Sequence, residues 1–244
     1  MTTVATAAAA PPAPRHPAKF SSSIMAVLAE LVEDEAGRRA VPAPDLRVLD
    51  PFAGTGRVHQ LAGRTVGNEI EAEWAQMSAN TVIGDGTALP FADRSFDVAV
   101  TSCTYGNRLA DHHDAKDSSR RMSYTHTLGH QLRLNNTGAM AYREHQQTSA
   151  PYRVLHRAAW LEVWRVLADG GVFFLNVSDF FAQRERQHVT AWHCRTLQAA
   201  GFDLERLRWV ETPRLRFGAN RQRVEKECIV CLRKNVIAVS ENQA

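Results

Sequence analysis

Four short stretches carry residue types suited to one kind of chemistry. Asp50-Pro51-Phe52-Ala53-Gly54-Thr55-Gly56 follows the apolar run Leu46 to Leu49 and reads as a buried strand feeding a glycine turn. Gly54 and Gly56 have no Cβ, so a ligand can approach the backbone closely. A helix after the turn would add free N–H groups and its positive dipole end. Glu69 ends the next strand, Thr65 to Asn68, where a carboxylate can accept both hydroxyl protons of a ribose. Asp85 ends a third strand, Thr81 to Ile83, placed to accept from an adenine amino group. A glycine turn is a weak signal, and either acid alone also reads as an exposed strand-end carboxylate. In this order the three match the parts of an adenosine ligand. A fourth strand, Phe96 to Ser102, runs into Cys103-Thr104-Tyr105, a polar turn at the same end of the sheet.

The elements that must position these residues alternate along the chain. Ile24, Val27, Leu28, Leu31 and Val32 follow helical spacing, with N-cap candidates at Ser21 to Ser23 and an end near Gly37. Helix Val154 to Leu167 leads through Asp169-Gly170-Gly171 to the apolar strand Val172 to Val177. Helix Val189 to Ala200 stops at Gly201, and strands near Leu204 to Val210 and Cys228 to Arg233 suit an antiparallel edge. Such alternation makes an open, mostly parallel sheet with helices on both faces, binding ligands beyond the carboxyl ends of its strands. The stretch from Gly106 to Ala150 is polar and far longer than the roughly 2–6 residues usual after a strand, which marks a functional or disordered insertion.

In sequence order these motifs resemble the DNA amino-methyltransferases that act on adenine N6 or cytosine N4. His16-Pro17-Ala18-Lys19-Phe20 is similar to that family's motif before the first helix, Asp50 to Gly56 to its cofactor loop, and Asn68-Glu69-Ile70-Glu71 to its acidic motif. Gly84 to Phe91 is similar to its adenine-contact segment, Ser102-Cys103-Thr104-Tyr105 stands where its Ser/Asp/Asn-Pro-Pro-Tyr tetrapeptide would, and Arg165 to Gly171 and Asn176 to Asp179 match later segments. The resemblance covers roughly residues 15 to 235. It implies a Rossmann-like class I methyltransferase with a mostly parallel seven-stranded sheet, using S-adenosylmethionine. Lys19, Phe20, Asp50, Pro51, Phe52, Gly54, Gly56, Glu69, Asp85 and Gly86 would hold the cofactor, Phe20 at its methionine part, Glu69 at its ribose and Asp85 at its adenine. Tyr105 would stack on a flipped-out base, while Ser102 Oγ and the Cys103 carbonyl accept from its amino group. Asn107, Arg108, Arg120, Arg121, Arg216 and Asn220 are the candidate nucleic-acid contacts. Cys103 and Thr104 replace the two prolines that would fix φ and stiffen the turn.

Other readings of single residues are weaker. A nucleophilic Cys103 would need a Pro-Cys arrangement that the chain lacks. Cys228 and Cys231 have CxxC spacing, but residues i and i+3 of a strand face opposite ways. The histidines at 112, 113, 126, 130 and 145 match no metal-site spacing, and no metal is expected. Trp160 and Trp164 lie at helical spacing and read as core. A net charge of +3 hides a basic stretch from Arg206 to Lys226, with seven Lys or Arg against two carboxylates, which suits phosphates or a solvated hairpin equally. Residues 1–14 and 236–244 read as tails around a methyltransferase domain at 15–235 with a substrate loop at 106–150. No membrane span or secretory signal is visible, which points to the cytoplasm. The partner implied is nucleic acid, DNA before RNA; the non-enzymatic alternative is a binding protein that kept the fold and lost catalysis.

Overall fold

The computed structural model describes residues 16, 20–106, 124–133, 135–137, 141–145, 150–182, 184–212 and 224–235. Helix α1 spans Ser22–Arg39, and the Ser21 hydroxyl accepts from the Ile24 N–H at 3.2 Å. It runs past Gly37 to a left-handed Ala40, because Arg38 and Arg39 fill the last turn and Arg39 pairs with Glu35 one turn back. Strand β1 (Arg47–Asp50) is followed by a four-residue 3-10 turn, Arg57–Gln60, instead of the expected longer helix. Then come β2 (Arg64–Glu69), the short α2 (Ala72–Ala75), β3 (Thr81–Ile83) and β4 (Phe96–Ser102). Helix α3 (Tyr124–Leu128) lies in the insertion, and α4 (Ala150–Val166) passes directly into β5 (Leu167–Val177). Asp169 to Gly171, expected as a linker, is absorbed into β5 where its register against β4 shifts.

A small hairpin, β6 (Phe180–Ala182) and β7 (Glu185–Gln187), precedes α5 (Val189–Ala199), β8 (Phe202–Glu211) and β9 (Lys226–Lys234). The main sheet has the order β3-β2-β1-β4-β5-β9-β8, parallel through β5 and antiparallel at β9 and β8. The strand order reverses between β1 and β4, so a crevice opens at their carboxyl ends.

Successive side chains of the central strands enter two cores. Phe173, Leu175 and Val177 meet Trp160, Val163 and Leu197 of α4 and α5, whereas Val172 and Phe174 meet Leu28, Leu31 and Val32 of α1. Cys228 and Cys231 fall into different cores, as strand geometry requires, and both are buried and unbridged. Among the described residues, no helix is long and apolar enough to cross a membrane.

Glu35, 2% exposed, ties α1 to β9 by accepting from Arg39 at 2.8 Å and from both terminal nitrogens of Arg233 at 3.0 Å. Glu35→Ala removes one acceptor from each of two half-buried guanidinium groups that keep the Gly170 carbonyl, and should lower unfolding stability by about 1–2 kcal/mol, read from urea denaturation.

Candidate active site

Asp50 ends β1 almost fully buried, and its Oδ1 accepts from the Phe52 N–H at 3.0 Å and the Thr101 hydroxyl at 2.7 Å. These bonds turn the chain into the glycine loop, where Gly54 (φ 54°) and Gly56 (φ 78°) take left-handed backbone. Glu69 closes the loop from the next strand: one oxygen accepts from Gly54 N–H at 2.9 Å, the other from Glu71 N–H at 2.8 Å. A carboxylate has about four acceptor sites, so Glu69 keeps capacity toward a ligand. Opposite, a Cβ on Gly86 would stand 2.3 Å from the Phe52 ring, so that position keeps the cleft open for Phe52.

The resulting cleft opens to bulk solvent. Of the expected residues, Phe20, Asp50, Phe52, Gly54, Glu69, Gly86, Ser102, Cys103 and Thr104 line it. Pro51 and Gly56 are not among the lining residues; the Pro51 carbonyl accepts from the Asn68 amide at 3.1 Å. Asp85 is one step removed from its expected place. Its Oδ1 serves Thr87, and its Oδ2 accepts from Asn135, which itself lines the cleft. Lys19, Asn107, Arg108, Arg120, Arg121, Arg216 and Asn220 lie outside the described residues.

Burial lifts both cleft carboxyls, Asp50 to about 7 and Glu69 to about 7, against the hydrogen bonds that favour their charged forms. The raised values mean that the folded protein takes up protons the unfolded chain would release. Stability from these groups therefore declines as pH climbs from about 4 to 7 and levels off above. A ligand donating hydroxyl protons to Glu69 needs it ionised, so binding should release protons. Affinity should rise about tenfold between pH 6 and pH 8, read from titrations in buffers of different ionisation enthalpy.

Part of the insertion covers this cleft. Tyr124 of α3 packs edge-on against Trp74 and His16, with ring centroids 5.7 and 5.3 Å apart. Glu71, fully buried, accepts from the Arg133 N–H at 2.8 Å and the Asn136 amide at 3.0 Å. The insertion, expected to serve the substrate, thus contributes Tyr124, Asn135, Asn136 and Thr137 to the lining of the cleft. Nothing in its composition announces this; the available signal was Glu71, an acid so placed that burial would demand donors from elsewhere. Arg57 was also missed. It lines the cleft directly after Gly56, and its Nε is buried with no hydrogen-bond partner.

At the cleft's lip the turn after β4 departs from expectation. The Tyr105 hydroxyl donates to Glu227 at 2.8 Å and accepts from the Asn176 amide at 2.9 Å, and Tyr105 is not among the residues lining the cleft. Ser102 Oγ, 3.4 Å from both Asn176 Nδ2 and Tyr105 Oη, remains at the lip. Behind it, Cys103, His156 and His193 bring ligand-type atoms within 4.8 Å of one another, a grouping that sequence spacing did not suggest. Trp160 Nε1 donates to His193 Nδ1 at 3.0 Å, which leaves the proton of the neutral ring on Nε2, so that nitrogen is a donor and not a ligand. Burial pushes the Cys103 thiol up to about 12, which removes it as a nucleophile. In the basic stretch, Arg206 pairs with Asp34, Arg208 with Glu30 and Lys226 with Glu211, while residues 213–223 lie outside the described residues. Those three cations are engaged with the protein's own acids.

No match is found among protein-family models or curated proteins. Solved structures match in fold. The [4+2]-cyclase SpnF is 17% identical, with 88% of this chain and 84% of that chain covered and a TM-score of 0.50. A chain from the complex of the Haloferax volcanii Trm112 methyltransferase activator with its candidate methyltransferase is 13% identical, with 87% and 96% covered and a TM-score of 0.50. The strand order and these likenesses show the Rossmann-like fold found in class I methyltransferases. A cyclase shares that fold, so the reaction has to be argued from the site.

Proposed function

We propose that the protein transfers a methyl group from S-adenosylmethionine to the exocyclic amino group of a DNA base, cytosine N4 or adenine N6. The observation that carries the reading is one cleft lined by Asp50, Gly54 and Glu69 together with the Ser102-Cys103-Thr104 turn. The donor set suits the cofactor. Glu69 offers acceptors for ribose hydroxyls, and the partnerless Arg57 Nε suits a carboxylate. When bound, the cofactor supplies an electrophilic methyl on a sulfonium. Ser102 Oγ would accept from the target amino group and aim its lone pair, and holding the reactants in line lowers the barrier by removing the entropy cost of bringing them together. The C–N bond forms as the C–S bond breaks, and the amino proton passes to solvent.

A polyanionic substrate is supported by a groove between α4 and α5 lined by Arg153, Arg157 and Arg195, with no carboxylate among its described lining residues. It starts beside the catalytic turn: Arg153 stacks on Tyr142, whose N–H donates to the Gly106 carbonyl at 3.1 Å. Replacing Arg157 and Arg195 by glutamate should weaken DNA binding and flatten its log–log salt dependence by about 2, measured by fluorescence anisotropy.

Labelled methyl transfer to duplex DNA, single-stranded DNA and total RNA, with nucleoside analysis, tests the reading. Label in N4-methylcytosine or N6-methyladenine of DNA supports it, label confined to RNA replaces it with RNA base methylation, and cofactor binding without transfer to any polymer overturns it in favour of a binding protein.

A further inference from the structure

The turn that would present the amino acceptors lacks stiffening prolines, yet it is held from behind by a buried chain of hydrogen bonds. Trp160, His193 and Tyr152 have no exposed surface. An indole N–H can only donate, so Trp160 fixes His193 Nδ1 as the acceptor at 3.0 Å. His193 Nε2–H then donates to the Tyr152 hydroxyl at 2.9 Å, and that hydroxyl donates to the Thr104 carbonyl at 2.8 Å. Only this direction satisfies every atom in the chain. Burial keeps His193 uncharged by holding it well below the usual histidine range, so the direction does not invert near neutral pH. His156 braces the ring: it packs on Tyr152 with centroids 4.0 Å apart, and its Nδ1 bonds the Tyr152 carbonyl at 2.8 Å. The Thr104 hydroxyl donates to the Thr137 carbonyl at 2.6 Å, tying the same residue to the segment over the cleft.

We propose that Trp160, His193 and Tyr152 are positioning residues that fix the Ser102 to Tyr105 turn through the Thr104 carbonyl, supplying the rigidity that two prolines would otherwise give. The inference rests on the methyl-transfer reading for its kinetic consequence, but not for its structural one. Tyr152 takes one of the two acceptor positions of Thr104 O. The three side chains lie behind the cleft and touch no substrate, so their loss should act on turnover and spare binding.

The test is carried out on the full chain with Tyr152→Phe, His193→Leu and His193→Gln. Glutamine can accept from Trp160 and donate to Tyr152, so it preserves the chain, whereas leucine cuts it. Amide hydrogen exchange of peptides covering 100–106 should speed up in Tyr152→Phe and His193→Leu and stay near wild type in His193→Gln. On DNA, kcat should fall by about 10- to 100-fold in the first two, with KM and cofactor Kd within about threefold. Combining Tyr152→Phe with His193→Leu should cost little more than either alone, since both cut one chain. If either cutting variant fails to fold, Trp160→Phe, which frees the tautomer while keeping an aromatic ring, takes its place beside His193→Gln. Wild-type exchange and wild-type kcat in folded cutting variants would overturn the proposal. If wild type transfers no methyl group, the functional reading fails, and the exchange pattern still decides the role of the chain.

Discussion

Glu69→Gln is expected to weaken S-adenosylhomocysteine binding about a hundredfold, the sum of a donor set against a donor and a lost charge-assisted bond to ribose. Both carboxylate oxygens already accept backbone N–H groups, from Gly54 and from Glu71. An amide offers one acceptor and one donor, so whichever way it flips, its NH2 faces a backbone N–H. The glycine loop then loses its anchor to β2 just where the backbone must approach the ligand. Glu71→Gln provides the contrast. Glu71 accepts from Arg133 and Asn136 of the covering segment and is not among the residues lining the cleft, so its loss should loosen the cover with a smaller effect on affinity. Calorimetry on the two variants separates these roles.

Gly106→Ala should remove methyl transfer more completely than any change in the cofactor loop, lowering kcat by more than about 100-fold. Gly106 sits at φ 72°, where an L side chain is strained. Its added Cβ would lie 2.4 Å from the Tyr142 Cβ and 2.6 Å from the Tyr142 backbone nitrogen. Backbone cannot yield as a flexible side-chain tip can, so the Tyr142 N–H to Gly106 O bond breaks and residues 141–142 move off the turn. Tyr142 packs on Tyr152 with centroids 5.5 Å apart, which carries the disturbance to the hydroxyl holding Thr104. Cofactor affinity should change much less than kcat, since neither Gly106 nor Tyr142 is among the residues lining the cleft. Equal losses in both would mean that the substitution unfolds the whole site.

The parts of this molecule that were legible in its sequence are those governed by local rules. Strand ends at Asp50, Glu69 and Ser102, the glycine turn and the helix stop at Gly201 follow from apolar runs and backbone preferences, and the sheet places those ends together. Gly37 misled because an exposed glycine is tolerated inside a helix whose next turn offers an Arg39 to Glu35 pair. The residues that complete the site depend on contacts between distant segments. Asn135 stands between Asp85 and the cleft across 50 positions, Asn136 reaches Glu71 across 65, and Tyr105 is drawn to Glu227 across 122. No periodicity encodes such pairs. The Tyr105 hydroxyl is bonded to Glu227 of β9 and Asn176 of β5, contacts that its motif position does not announce.

The central claim is that the Asp50 to Glu69 cleft holds S-adenosylmethionine with its reactive end toward the Ser102 to Thr104 turn. A crystal structure of the full chain with S-adenosylhomocysteine tests it most directly. Ribose hydroxyls within hydrogen-bond distance of Glu69, the ligand carboxylate at Arg57 and the sulfur facing Ser102 are the predicted result. A ligand seated elsewhere, or in this cleft with its ribose away from Glu69 and its sulfur away from the turn, would contradict it.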